Sequence, residues 1–123
     1  MTIKQLDHVN IHTADLAGTV DFYVGVIGLQ QGERPTTIGR PGAWLYCDGR
    51  PLIHLIETDQ AASAGTGVID HVAFDTEGYD AVASKLTERG LPFQAKELSD
   101  FRIRQIFVHD PNGVKLELNF RGA

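Results

Sequence analysis

Leu6-Asp7-His8-Val9-Asn10-Ile11-His12-Thr13 returns further along the chain as Ile69-Asp70-His71-Val72-Ala73-Phe74-Asp75-Thr76, at an offset of 71 − 8 = 63 residues. Asp-His-Val and the closing Thr recur unchanged. In a chain of 123 residues this spacing makes two copies of one supersecondary unit, and a duplicated unit fixes architecture more firmly than any local propensity.

Both copies continue alike. Over 15–27, the apolar residues Leu16, Val20, Tyr23, Val24 and Ile27 recur at helical spacing, with Asp15 placed to cap the start and Gly28 to end the run. In the second copy Tyr79, Val82, Ala83 and Leu86 repeat the stripe, and Gly90 stops it before Leu91-Pro92. Strand-forming stretches follow at 43–47 and 52–57 in the first copy, and at 93–98, 102–109 and 114–120 in the second. Turn-prone Asp48-Gly49-Arg50-Pro51 and Asp110-Pro111-Asn112-Gly113 separate them. The segment 32–42, with its Gly, Pro and Thr, reads as a loop that leads into or replaces a ragged strand, and 58–67 reads as the linker between halves. The expected order is βαβββ twice: an α+β fold in one domain, 1–123, built from modules at about 1–60 and 66–123.

Composition narrows the class of function. A 42% apolar and 22% charged chain of this length buries a core without disulfides or a structural metal, and it has no apolar stretch long enough for a membrane span. The first residues lack the basic region and apolar run of a secretory signal, and the single cysteine, Cys47, excludes an internal disulfide framework; both suit a cytoplasmic setting. A net charge of −5 opposes broad neutralisation of nucleic-acid phosphates, so the expected partner is a small molecule.

Strand parity identifies the chemistry. Successive side chains of a strand point to opposite faces. With Val9 and Ile11 on the face toward the helix, His8 and Asn10 lie on the other; Val72 and Phe74 divide from His71 and Ala73 in the same way. In the closing strands, Ile53 and Leu55 oppose His54, and Leu116 and Leu118 oppose Glu117. His54 and Glu117 stand in equivalent places, since 117 − 54 = 63. Each module thus offers one donor on its first strand and one on its last. Three imidazoles and a carboxylate suit Fe(II), Zn, Mn, Co or Ni, and leave coordination positions open for substrate oxygens, as a catalytic site requires.

This pattern resembles the vicinal-oxygen-chelate superfamily of glyoxalase I, methylmalonyl-CoA epimerase, extradiol dioxygenases, and the bleomycin and fosfomycin resistance proteins. The likeness spans nearly the whole chain. It rests on Asp7-His8-Val9, Phe22-Tyr23 before Gly28-Leu29, Asp70-His71-Val72-Ala73-Phe74, and Asp110 through Leu118. It implies the glyoxalase/bleomycin resistance/dioxygenase fold, in which the two pseudo-symmetric modules form a half-open barrel around a metal, commonly in a homodimer. In some members each site draws ligands from two chains.

By the same resemblance His8, His71 and Glu117 match the two-histidine, one-carboxylate triad that holds iron or manganese in extradiol dioxygenases. His54 matches an acid-base histidine there and a metal-binding Glu in bacterial glyoxalase I. The expectation is a metal-dependent enzyme with Fe(II) favoured, cleaving a catechol-type ring, with His54 and Glu117 as the catalytic groups. The alternative is a glyoxalase I-like lyase or an epimerase working through a metal-stabilised enediolate; a metal-free ligand-binding protein is the third reading. Two departures weigh against ring cleavage: Phe107 stands where a tyrosine is expected, and 96–100 contains no histidine.

Four further residues are candidates for the substrate pocket. Trp44 and Tyr46 share parity and can wall a ring-shaped ligand, whereas Arg102 and Arg104, two apart on one strand face, can neutralise an acidic one. His12 and His109, at strand ends, are expected to be exposed.

Overall fold

In the computed structural model, which describes residues 2–60 and 65–122, the chain forms two compact units, Met1–Ala62 and Ser63–Ala123. The expected linker at 58–67 falls partly on 61–64, outside the described residues. The first unit runs β1 (Val9–Thr13), α1 (Leu16–Asp21) with a π-helical continuation (Phe22–Ile27), β2 (Gln30–Gly32), β3 (Gly42–Cys47) and β4 (Arg50–Glu57). The second runs β5 (Val72–Thr76), α2 (Tyr79–Glu88), β6 (Phe93–Leu98), a 3-10 turn (Ser99–Phe101), β7 (Ile103–His109) and β8 (Lys115–Arg121).

The sheets repeat one topology. Their strand orders are β1-β4-β3-β2 and β5-β8-β7-β6, with the first and last strands of each unit parallel and the remaining pairs antiparallel. A parallel pairing needs a crossover, which the helix between β1 and β2, or β5 and β6, begins. Each unit's last strand is therefore central, flanked on both sides, and carries His54 or Glu117. The segment 32–42, expected as a loop, carries no strand over 33–41, and a short strand, β2, precedes it and ends at Gly32.

The central strands are buried on both faces at their middles, His54 and Asn119 along with their apolar neighbours. Ile53 and Leu55 are buried on the helix side with Ile11, Ala43, Leu45, Phe22, Tyr23 and Val26. In the second unit Ile106, Val108, Leu116 and Leu118 are buried together with Leu86 of α2. Burial of each such side chain contributes about 1.5–3 kcal/mol. At the start of α1 the Asp15 carboxylate accepts from the Gly18 amide at 3.0 Å, as its capping position predicts.

The first helix departs from the sequence expectation in its second half. A regular helix over 15–27 would bury Val24, but the π-helical turn shifts the buried set to Phe22, Tyr23 and Val26 and leaves Val24 37% exposed. The physical reason is the wider turn, which rotates the apolar stripe. Gly28 closes the helix in the left-handed region at φ 96°, and its amide and that of Leu29 both donate to the Tyr23 carbonyl, at 3.0 and 2.9 Å. A Cβ there would meet nothing within 4 Å, so Gly28→Ala isolates the backbone cost. The expected loss is about 1–2 kcal/mol of stability, read from the denaturant midpoint.

Candidate metal centre

In the first unit the donors are positioned by the sheet. His54, in central β4, pairs across to Asn10 on one side and Trp44 on the other, and is 8% exposed. Its ring is sandwiched: the Trp44 ring stacks on it at 4.0 Å between centroids and the His8 ring at 3.7 Å. A register shift between Leu45 and Tyr46 pairs Tyr46 with Pro51, and the Pro51 carbonyl accepts from His54 Nε2 at 3.1 Å. That bond requires the proton on Nε2, so neutral His54 presents Nδ1 as its free lone pair. Burial, followed by the charge of His8, holds the His54 pKa below its ordinary 6.5.

In the second unit Glu117, in central β8, pairs with Ala73 and Phe107. His71 Nε2 lies 3.4 Å from Glu117 Oε1. The carboxylate is held from behind, because Asn119 Nδ2 donates to Glu117 Oε2 at 2.8 Å and the buried Gln105 Nε2 donates to Asn119 Oδ1 at 2.9 Å. This chain fixes the Asn119 amide so that its donor end faces Glu117.

One feature is the same in both units. His8 Nδ1 donates to Asp7 Oδ2 at 2.6 Å, and His71 Nδ1 donates to Asp70 Oδ2 at 2.8 Å. These bonds lower both aspartate pKa values, most strongly through the histidine in each case. A carboxylate only accepts, so each imidazole carries a proton on Nδ1, and in its neutral form it presents Nε2 as a lone pair. The two side chains are also equally exposed, at 36% and 37%. An aspartate behind the distal nitrogen of a ligating histidine is the usual outer-shell arrangement of metal sites, where it orients the ring and raises its basicity. Each unit's pair is thus made of donors that suit a borderline divalent cation: His8 and His54 in the first unit, His71 and Glu117 in the second. Within each unit the donors come as a pair, and no group of three or more His, Cys, Asp or Glu able to hold a metal ion occurs among the described residues.

The roles of Asp7, Asp70, Asn119 and Gln105 go beyond what the residue pattern suggested. The signal for the aspartates was present, since Asp precedes His in both copies of the repeat. Asp70→Asn, which turns an acceptor into a group able to donate, is expected to weaken metal binding about 10- to 100-fold, measured by chelator competition.

The remaining candidates divide. Trp44 and Tyr46 share one face of β3 and line a cavity, described below. The arginine pair differs from expectation: Arg102 lies before β7, in the left-handed region at φ 53° where it ends the 3-10 turn, so it has no strand face to share with Arg104. Arg104 is directed to the helix side, its guanidinium 3.5 Å from the Tyr79 ring centroid and 3.8 Å from Glu97, because it pairs across β8 with Phe120, which itself meets Tyr79 edge to face. His12 and His109 are exposed.

A duplicated βαβββ fold with repeat-related His and Glu donors defines a class, and comparison with known proteins agrees with it. The model of the Glyoxalase/Bleomycin resistance protein/Dioxygenase superfamily matches residues 5–118, and the chain belongs to that family. It is 28% identical over 123 residues to Glyoxylase I 4 of Arabidopsis thaliana, covering 94% of this chain and 70% of that protein. Among solved structures, a glyoxalase/dioxygenase from Nostoc punctiforme superposes with a TM-score of 0.82 at 17% identity, covering 99% of this chain and 94% of the other. The fosfomycin resistance protein FosX from Listeria monocytogenes, in a mutant form complexed with Mn(II) and 1S,2S-dihydroxypropylphosphonic acid, superposes with a TM-score of 0.79 at 19% identity, covering 98% and 95%. Among the described residues no helix is long and apolar enough to cross a membrane.

Proposed function

We propose that the chain is a divalent-metal-dependent enzyme acting on a small molecule with adjacent oxygens, in which His8, His54, His71 and Glu117 together hold one cation. Superfamily membership supports a metal-dependent vicinal-oxygen-chelate protein. The observation that carries the reading further is the doubled Asp-His pair, which in both units commits Nδ1 to a carboxylate and so leaves Nε2 as the nitrogen for a ligand, in the second unit 3.4 Å from Glu117 Oε1.

A cation held by these residues would supply Lewis acidity toward a substrate with neighbouring oxygens. The chain's own residues then handle protons. Glu117, oriented by Asn119, takes a proton from the substrate carbon beside those oxygens and returns it to the neighbouring one. His54, whose Nε2 is committed to the Pro51 carbonyl, has only Nδ1 for either duty, ligation of the cation or proton exchange at a substrate oxygen. The lyase or isomerase chemistry of the glyoxalase branch stands first, because Phe107, directly across from Glu117, lacks the hydroxyl expected of a ring cleaver. Likeness to Glyoxylase I 4 supports the same branch. Extradiol ring cleavage is the second reading, favoured by histidine rather than glutamate at 54.

Metal analysis of protein purified without added metal tests the proposal. About one equivalent per chain is expected, and protein that neither contains nor takes up a divalent cation would overturn it in favour of a metal-free binder. Nickel, cobalt, zinc or manganese with turnover of thiol adducts of oxoaldehydes supports the lyase. Iron with oxygen uptake on catechols supports ring cleavage.

A further inference from the structure

The first unit carries a cavity of about 540 Å³ lined by Glu33, Arg34, Pro35, Thr36, Trp44 and Tyr46. That volume lies within the range of small-molecule sites. Its aromatic walls are braced. The Tyr46 hydroxyl donates to the Glu33 carbonyl at 2.6 Å, and Trp44 is backed by the His54 ring. Gly32 lies so close to the Tyr46 ring that a Cβ there would stand 2.7 Å from Cδ1 and Cε1, so the ring lies over β2 where this residue has no side chain.

Arg34 supplies the charge. Its Nη2 donates to the Arg40 carbonyl at 2.8 Å, which anchors the guanidinium, while its Nε is buried and has no hydrogen-bond partner among the described residues. Since Nε has no free surface, it is the rest of the guanidinium, at the cavity wall, that offers an anionic oxygen a charge-assisted bond. Glu33 brings opposite charge to the same wall, but it is exposed, so water screens it more than it screens the partly buried Arg34.

We propose that this cavity binds a small aromatic carboxylate, with its ring against Trp44 and Tyr46 and its carboxylate accepting from Arg34. Resting on the proposed function, this makes the substrate an acid and Arg34 a residue that determines specificity. The binding itself requires no metal.

Trp44 is the chain's only tryptophan, so its fluorescence reports on the cavity directly. Metal-stripped protein is titrated with benzoate, with its neutral isostere benzamide, and with acetate. Saturable quenching by benzoate is expected, with benzamide and acetate each bound at least about 10-fold more weakly. Arg34→Ala should abolish the preference for benzoate over benzamide, and Arg34→Lys should retain part of it, because an ammonium keeps the charge but not the planar fork. Equal binding of benzoate and benzamide by the unaltered protein, a preference that survives in R34A, or no saturable change with any of the three overturns the proposal. The wild-type comparison decides even if a variant folds poorly. Since the titration uses stripped protein, failure of the metal assay and failure of this one are separate results.

Discussion

Replacing Glu117 with Gln is expected to abolish stoichiometric metal binding. The substitution keeps the shape of the side chain and removes its charge, so the cation loses its one anionic donor. Changes in outer-shell partners weaken metal sites about 10- to 100-fold, and removal of a ligand should exceed the upper end of that range. Chelator competition measures the loss, and turnover should fall with metal content. Asn119 Nδ2 already donates at 2.8 Å to Glu117 Oε2, and a glutamine oxygen can accept the same bond, so the metal-free protein should keep its melting temperature within a few degrees. His12→Gln is the control, because His12 shares the inward parity of His8 but is exposed and bonded to none of the donors. Full metal binding by E117Q would remove Glu117 from the site.

The second large effect concerns the fold. Leu55 is fully buried in β4, pairing across to Ile11 and Ala43, and its side chain points away from the face that carries its neighbour His54. Leu55→Ala should cost about 2–5 kcal/mol, depending on how far the surrounding core collapses. Against a total of about 5–15 kcal/mol this is a large fraction, visible as a lower urea midpoint at unchanged slope. At temperatures where the variant stays folded, its metal affinity should match the parent's, because the donors lie on the opposite face. A collapse of metal affinity in folded L55A would show that the two faces of β4 are coupled.

Membership of the superfamily was readable from particular residues. The recurrence of Asp-His-Val and Thr at an offset of 63 announced duplication, and the matched topology of the two sheets is its structural counterpart. The helix caps at Asp15 and Gly28 followed from residue chemistry. Parity separated His54 from Ile53 and Leu55, whereas burial did not, since all three are buried. Less was readable where geometry departs from regular periodicity. The π-helical turn moved Val24 outward, and the left-handed residue Arg102 ended a 3-10 turn where a strand was expected. Arg104 was read as free to meet a ligand, yet a tyrosine from another element takes up its guanidinium.

The sequence by itself determined which side chains share a strand face and which positions the repeat makes equivalent, because both depend only on spacing along the chain. The tertiary structure alone decided which nitrogen each imidazole leaves free, what holds the Glu117 carboxylate, and that Arg34 meets Trp44 and Tyr46 around one cavity. Those outcomes depend on side-chain torsions and on hydrogen-bond partners brought from neighbouring strands and loops, and residue spacing does not encode such meetings.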